Sequence, residues 1–382
     1  RTSLSEPARR QLEDLLDDLY YDLVDGIATS RDLDGETVES IIDGGPYTSE
    51  DALSAGLVDE LAYSDEVDAY FDELLGDGWT ELDYSDYAEQ DEREVVGEGR
   101  RTVAIVYAVG SIASGENDDD PLLGRVLGSR LFSDMIEQIA EDDDVDAVVL
   151  RVDSPGGSGL ASDVIWRSLD VLDVPVVVSM GDVAASGGYY ISVGGDKIVA
   201  QPGTITGSIG VFAGKFITRE LQNDIGVNRQ ILDRGEHASA WSSYRRFTDE
   251  EREQLREEIL EFYTGFLAKV GIARDMTPDE VHEVARGRVW SGTRALEVGL
   301  VDRLGGLEEA VRTAKEEIGV STAEIVNRVV YPKPRSWLKE LFEGSSGPAF
   351  YTTSPREQVV QTLQRFERVR VFALMPWTPN IR

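Results

Sequence analysis

The strongest constraint on the fold is that the chain repeats itself. LSEPARRQLEDLLDDLYYDL, from Leu4, matches FTDEEREQLREEILEFYTGF, from Phe247, at an offset of 243 residues that holds without a gap for more than fifty positions. Arg9 meets Arg252, Gln11 meets Gln254, Tyr20 meets Tyr263, and Arg31-Asp32 meets Arg274-Asp275. The copies also close together, ALSAGLVDEL at 52–61 against ALEVGLVDRL at 295–304. Self-similarity at a fixed offset marks a repeated structural unit. Each copy reads as an amphipathic helix, a short helix, and a third helix stopped by glycine.

In the second copy this helical part follows an α/β segment, residues 101–235, whereas nothing precedes it in the first. The expectation is a tandem repeat with its first copy truncated. Residues 1–62 are then the helical end of the first repeat, 63–100 a connecting segment, 101–319 the second repeat, and 320–382 a tail. FALMPW, near the end of that tail, is apolar enough to pack on a neighbour, although a solvated end fits equally. In the α/β segment, RTVAIVYAVGSI reads as a strand, SRLFSDMIEQIAEDDDV as a helix and DAVVLRVDSPGG as a strand ending in a glycine turn. GLASDVIWRSLDVL then reads as a helix and VPVVVSM as a strand, with a helix after Ser186. KIVAQPG, SIGVF and VNRQILD complete the pattern. Alternating helices and continuously apolar strands predict an α/β fold with a mostly parallel, buried sheet and flanking helices.

Composition narrows the function. Asp and Glu number 73 against 37 Lys and Arg, a net charge of −36. A basic surface for nucleic acid is excluded, and so strong a negative field repels itself unless salt screens it. With only six lysines (Lys197, Lys215, Lys269, Lys315, Lys333, Lys339), the chain has the composition of a salt-adapted protein. It has no cysteine, so disulfides and thiol chemistry are excluded. No apolar run reaches the roughly 18 residues needed to cross a bilayer. The acidic runs Asp118-Asp119-Asp120 and Glu141-Asp142-Asp143-Asp144 lack the spacing of a calcium loop and read as solvated surface.

Three glycine-rich turns follow predicted strands: Ser154-Pro155-Gly156-Gly157-Ser158, Ala185-Ser186-Gly187-Gly188 and Thr206-Gly207-Ser208-Ile209-Gly210. Glycine lets a substrate approach backbone N–H groups, and two such groups aimed at one point form an oxyanion hole. Ser186, between a strand and a helix, suits a nucleophile, and a serine nucleophile needs a base. Only two histidines are available, His237 and His282, and neither follows Ser186 at a suitable spacing.

Taken together, DSPGGS, MGDVAASGGYYIS and PGTITGSIGV resemble the signal peptide peptidase A family, serine proteases of the crotonase-like (ClpP-like) fold. The resemblance runs from the first helical copy to about residue 310. It implies that Ser186 is the nucleophile, that Gly157, with Gly156, and Gly187 supply oxyanion N–H groups, and that Ser208 hydrogen-bonds the base. The family's base is a lysine, which serves only if burial lowers its pKa. In the short form it would fall near Ala238, where this chain has none; in the long form it comes from the first repeat, here several residues before Arg1. The resemblance further implies peptide substrates such as cleaved signal peptides, a homo-oligomer, no metal or organic cofactor, and a membrane anchor upstream of this chain with the catalytic part on the extracytoplasmic side.

Other assignments compete at single residues. His237 occupies the family's lysine region, in a polar loop. His282 reads as a helix surface residue, and Lys215 as a surface residue at a helix start. Asp153 and Asp182 read as structural or solvent-facing. A ClpP-type triad would need a histidine near Val211. Two whole-chain alternatives remain: an acyl-CoA-processing crotonase-like enzyme, or a catalytically silent scaffold.

Overall fold

A computed structural model describes residues 3–76, 79–82, 100–117, 125–331 and 372–374. Asp118-Asp119-Asp120, Lys333 and Lys339 lie outside the described residues. The chain divides into two compact units, Arg1–Gly97 and Glu98–Arg382.

The first unit contains α1 (Glu6–Arg31), α2 (Gly35–Gly44), α3 (Ser49–Ser54) and α4 (Val67–Leu75). The Asp34 carboxylate accepts the Thr37 N–H and opens α2. Arg31 pairs with Asp59 at 2.7 Å.

The second unit begins with β1 (Thr102–Val109), β2 (Ser111–Ala113), β3 (Val126–Gly128) and α5 (Ser129–Ala140). It continues through β4 (Ala147–Ser154), β5 (Gly156–Ser158), α6 (Gly159–Asp170), β6 (Val176–Ala185) and α7 (Gly187–Ser192). Then come β7 (Lys197–Ala200), β8 (Ile205–Gly207) and α8 (Arg219–Asp224). The helical part is α9 (Asp249–Arg274), α10 (Pro278–Val284), β9 (Val289–Ser291) and α11 (Gly292–Glu297). β10 (Arg303–Leu304), α12 (Leu307–Glu317), β11 (Asn327–Tyr331) and β12 (Phe372–Leu374) complete it.

The main sheet has the order β10-β7-β6-β4-β1-β11, with β8 beside the far end of β6 and β9 beside β8. All its pairings are parallel except β8 with β9. The apolar strands are buried on both faces, as a parallel sheet covered by helices requires. Ala104, Val106, Val148, Leu150, Val178 and Met180 pack with Phe132, Ile136, Ile165, Tyr189 and Phe266. The alternate residues Val103, Ala147, Val149, Val177 and Val199 pack with Ala310, Val311 and Ala314 of α12. The architecture is the expected α/β one, with a mostly parallel sheet and flanking helices.

The segments related by the 243-residue offset share their local geometry. α1 and α9 are both 26 residues long. They end on left-handed aspartates, Asp32 at φ 52° and Asp275 at φ 51°. Arg274 pairs with Asp302 at 2.7 Å, as Arg31 does with Asp59.

Three sequence expectations need correcting. RTVAIVYAVGSI is two strands in different sheets, because Gly110 turns the chain at φ 101° where an added Cβ would lie 2.2 Å from the Arg125 carbonyl oxygen. SPGG is not a simple turn, since Gly156–Ser158 forms β5 between β2 and β12. SIGVF and VNRQILD are not strands; β8 stops at Gly207, and its outer edge is taken by β9, from about 80 residues later.

Candidate active site

β6 is longer than the run VPVVVSM suggests, and its length builds the site. Its first half pairs with β7, Val177 to Ser179 against Lys197 to Val199. Its second half pairs with β8, Val183 to Ala185 against Ile205 to Gly207. The two parallel strands therefore end in register, with Ala185 opposite Gly207, and the next residues are Ser186 and Ser208. Ser186 has φ 55° and ψ −113°; its N–H donates to Gly207 O at 2.8 Å, and its carbonyl accepts the Tyr190 N–H at 2.8 Å. Ser208 has φ 49°, and its N–H donates to Arg288 O at 2.6 Å. A non-glycine residue held at such angles costs about 1–3 kcal/mol and persists only where its surroundings enforce it. Both serines are buried. The Ser186 hydroxyl has no hydrogen-bond partner among the described residues.

The glycines come together from the other side. The Ser154 hydroxyl donates to Gly110 O at 2.6 Å and accepts the Gly156 N–H at 3.1 Å, fixing Gly156 at φ 94°. A Cβ on Gly157 would lie 2.0 Å from Ile112 O, and one on Gly188 would lie 2.4 Å from Ser154 O. These close approaches seat α7 against β5 and the end of β4. Gly187 is the first residue of α7, so its N–H has no intrahelical acceptor. Asp153 is structural: its carboxylate accepts the Val183 N–H at 3.1 Å where the β4–β6 register shifts. Asp182 is exposed. Asp142 accepts from the Asp144 N–H and the Tyr331 hydroxyl, each at 3.2 Å.

The cationic residues lie in other networks. Lys215 is not the surface residue the sequence suggests. Its ammonium donates to Ala240 O and to Ser242 O, the latter at 3.0 Å, and sits 4.1 Å from the Phe247 ring centre. Burial, and then the charge of Arg245, pull its pKa below the usual lysine value. His237 presents Nδ1 at 3.6 Å from the buried Glu251 carboxylate. Glu251 is held by two hydrogen bonds from Arg245 and one from the Thr248 N–H, which bring its pKa to about 2. His282 is exposed and shares a 3.0 Å hydrogen bond with the Tyr263 hydroxyl. Lys315 donates to Thr322 O and Glu324 O.

A cluster that sequence reasoning missed anchors the helix carrying Ser186. The Tyr190 hydroxyl donates to Asp163 Oδ1 at 2.7 Å, and Lys269 Nζ lies 3.2 Å from the same oxygen, over the Trp166 ring. Burial and the Asp163 bond push the Tyr190 pKa up. The Tyr189 hydroxyl donates to Leu300 O at 2.8 Å. Two adjacent tyrosines after Gly-Gly were the available signal, because buried hydroxyls need partners.

The model of peptidase family S49 matches residues 1–76 and 172–321 of the chain. The chain is 34% identical over 352 residues to "Serine protease SPPA, chloroplastic" of Arabidopsis thaliana, which covers 90% of this chain and 52% of that protein. It is 32% identical over 237 residues to "Putative signal peptide peptidase SppA" of Enterococcus faecium, covering 61% of this chain and 69% of that one. The chain thus spans about half the length of the plant relative. A solved ClpP1 mutant from Listeria monocytogenes is similar over 56% of this chain and 95% of its own, with a TM-score of 0.36 at 16% identity.

Proposed function

This chain belongs to peptidase family S49, and from that premise we propose that it is the part of a serine peptidase that carries the nucleophile. The observation that supports this best is the pair Ser186 and Ser208, side by side at two strand ends with the left-handed backbone of both enforced, beside Gly156, Gly157 and Gly187. In this reading Ser186 Oγ attacks a peptide carbonyl carbon. The base takes the Oγ proton and passes it to the amine that leaves as the C–N bond breaks. Water then attacks the acyl ester and returns a proton to Oγ. The N–H groups of Gly187 and Gly157 hold the oxyanion, a contribution worth about 3–4 kcal/mol per donor; the Gly156 N–H, also expected there from the sequence, is given to the Ser154 hydroxyl instead.

The base is proposed to be a lysine outside this sequence, oriented by Ser208. In support, none of Lys197, Lys215, Lys269 and Lys315 hydrogen-bonds to Ser186 or Ser208, and three of the four are held by other partners. His237 is turned to Glu251. The substrates are proposed to be short apolar peptides, including signal-peptide remnants; the name of the Enterococcus relative and the apolar surroundings of the site support that class. A homo-oligomer, attachment to the outer side of a membrane through a segment outside this sequence, and salt adaptation complete the proposal. Among the described residues no helix is long and apolar enough to cross a membrane.

Ser186→Ala tests the reading in the parent protein. Loss of peptide cleavage and of labelling by a serine-reactive phosphonate is expected, with the fold intact. Cleavage that survives Ser186→Ala removes Ser186 from the role.

A further inference from the structure

We infer that Tyr190, Asp163 and Lys269 form a brace between the two helices that lead away from the oxyanion glycines, and so set how the Gly157 and Gly187 N–H groups stand to each other. The inference rests on the peptidase reading above. Gly187 is the first residue of α7, and Gly157 lies in β5, two residues before α6 begins at Gly159. Ser158 ties β5 to α6: its hydroxyl accepts the Ala161 N–H at 3.4 Å, and its carbonyl accepts the Ser162 hydroxyl at 2.9 Å. About one turn in from these two ends, the Tyr190 hydroxyl of α7 donates to the Asp163 carboxylate of α6. The Tyr190 N–H also donates to Ser186 O. One residue therefore links the nucleophile, the helix that starts at Gly187 and the helix that starts beside Gly157.

The surroundings make the brace stiff. The Tyr190 ring is buried, with its centre 4.6 Å from that of Phe266 and 5.7 Å from that of Phe262. Phe262 presses on the first residue of α6, where a Cβ on Gly159 would lie 2.6 Å from its ring. Lys269, also from α9, holds the same Asp163 oxygen at 3.2 Å, with its ammonium 4.3 Å from the Trp166 ring centre. The segment related to α9 by the 243-residue offset has Gly26 in place of Lys269 and Leu23 in place of Phe266. The brace is thus a feature of the unit that holds Ser186, not of the repeated pattern. An oxyanion exists only once the carbonyl has been attacked. Loosening the spacing of its two donors weakens transition-state binding and leaves substrate binding intact. The three side chains are positioning residues.

Kinetics in the parent protein test this. Tyr190→Phe keeps the ring and removes only the hydroxyl. kcat should fall at least about tenfold, toward the hundredfold cost of a 1 Å misplacement, with KM within about twofold. Asp163→Ala should reproduce the loss, and the double variant should lose no more than either alone, because both remove one bond. Asp163→Asn keeps an oxygen for the hydroxyl and should restore most of kcat. Arg274→Ala, whose lost bonds run to Gly299 and Asp302, is the destabilised control: it should melt lower with kcat unchanged. The inference is overturned by an unchanged kcat in Tyr190→Phe, by an effect on KM alone, by an equal kcat loss in Arg274→Ala, or by losses that multiply in the double variant. Where Tyr190→Phe does not fold, Asp163→Ala against Asp163→Asn makes the same comparison. Cleavage that survives Ser186→Ala removes the peptidase reading itself; cleavage that needs Ser186 but ignores the Tyr190 hydroxyl removes only the brace.

Discussion

Arg274→Ala and Arg31→Ala remove the same side chain from places related by the 243-residue offset, yet the burial around them differs. Arg274 donates to Asp302 at 2.7 Å and to Gly299 O at 2.8 Å, and the two side chains are 9% and 23% exposed. Asp302 also accepts the Ile198 N–H at 2.7 Å. Burial alone would raise the Asp302 pKa, but the Arg274 bond and charge, with the Ile198 N–H, bring it below the ordinary aspartate value. In Arg274→Ala the carboxylate keeps the Ile198 N–H and the more distant charge of Lys197 but loses the cation that hydrogen-bonds it. Breaking a largely buried pair costs about 3–5 kcal/mol, and the residual exposure of Asp302 places this case near 3. At about 2–4 °C per kcal/mol for a unit of this size, Tm falls by roughly 6–12 °C. Arg31 sits at the same 2.7 Å from Asp59, but Asp59 is 85% exposed. Its removal costs about 0–1 kcal/mol. Because the Asp302 pKa is depressed, the pair's contribution is fully present above the ordinary value of 3.8 and is lost as pH falls through the lower folded value. Urea melts of both variants at pH 7, and in steps below about pH 4, should show a large deficit for Arg274→Ala that narrows in acid, and little for Arg31→Ala. Equal losses, or a deficit that persists in acid, would refute the reasoning.

Gly188→Ala places a methyl 2.4 Å from Ser154 O, so α7 must shift and carry Ser186 with it. A displacement of about 1 Å costs on the order of a hundredfold in serine-dependent cleavage, while Gly265→Ala, in open space on α9, leaves cleavage unchanged and raises stability by about 0.5–1 kcal/mol; similar kinetics for both would sink the close-packing argument. Glu251 is held to a pKa of about 2 chiefly by Arg245, so its hold on the 236–248 loop is complete above about 4.5 and disappears as pH falls toward 2. Pepsin should therefore nick that loop increasingly across this range, and Glu251→Gln should already be nicked at its upper end; a flat profile would count against the cluster as the loop's anchor. With a net charge of −36, the unfolding midpoint should rise as salt goes from about 0.1 M to 1 M and the Debye length shrinks from about 10 to 3 Å. A midpoint indifferent to salt would contradict the salt-adapted reading of the composition.

What the sequence disclosed was local, and what it concealed was pairing between distant segments. The runs AVVL at 147–150 and VVV at 176–178 are apolar at every position, so burial on both faces follows without further information. The turn at Gly110 and the strand character of Gly156–Ser158 depend on the Arg125 carbonyl and on partners at Ile112 and Ala373, which no window around those glycines contains. Ser186 and Ser208 stood out as serines beside glycines. That they lie abreast follows only from the Ala185–Gly207 register. Lys215 read as surface because its carbonyl partners, Ala240 and Ser242, lie in a later loop. The Tyr190–Asp163–Lys269 cluster joins three helices; the paired tyrosines hint at buried hydroxyls needing partners, but Asp163 and Lys269 lie in two other helices and have no local signature.

We propose that Ser186 acts with a base supplied from outside this sequence. The most direct measurement compares peptide cleavage at high salt by this chain alone and by the same chain extended upstream within its parent, each with and without Ser186→Ala. Cleavage only in the extended protein, lost on Ser186→Ala, is the predicted result. Serine-dependent cleavage by this chain alone would contradict the account and turn attention to Lys215 and His237.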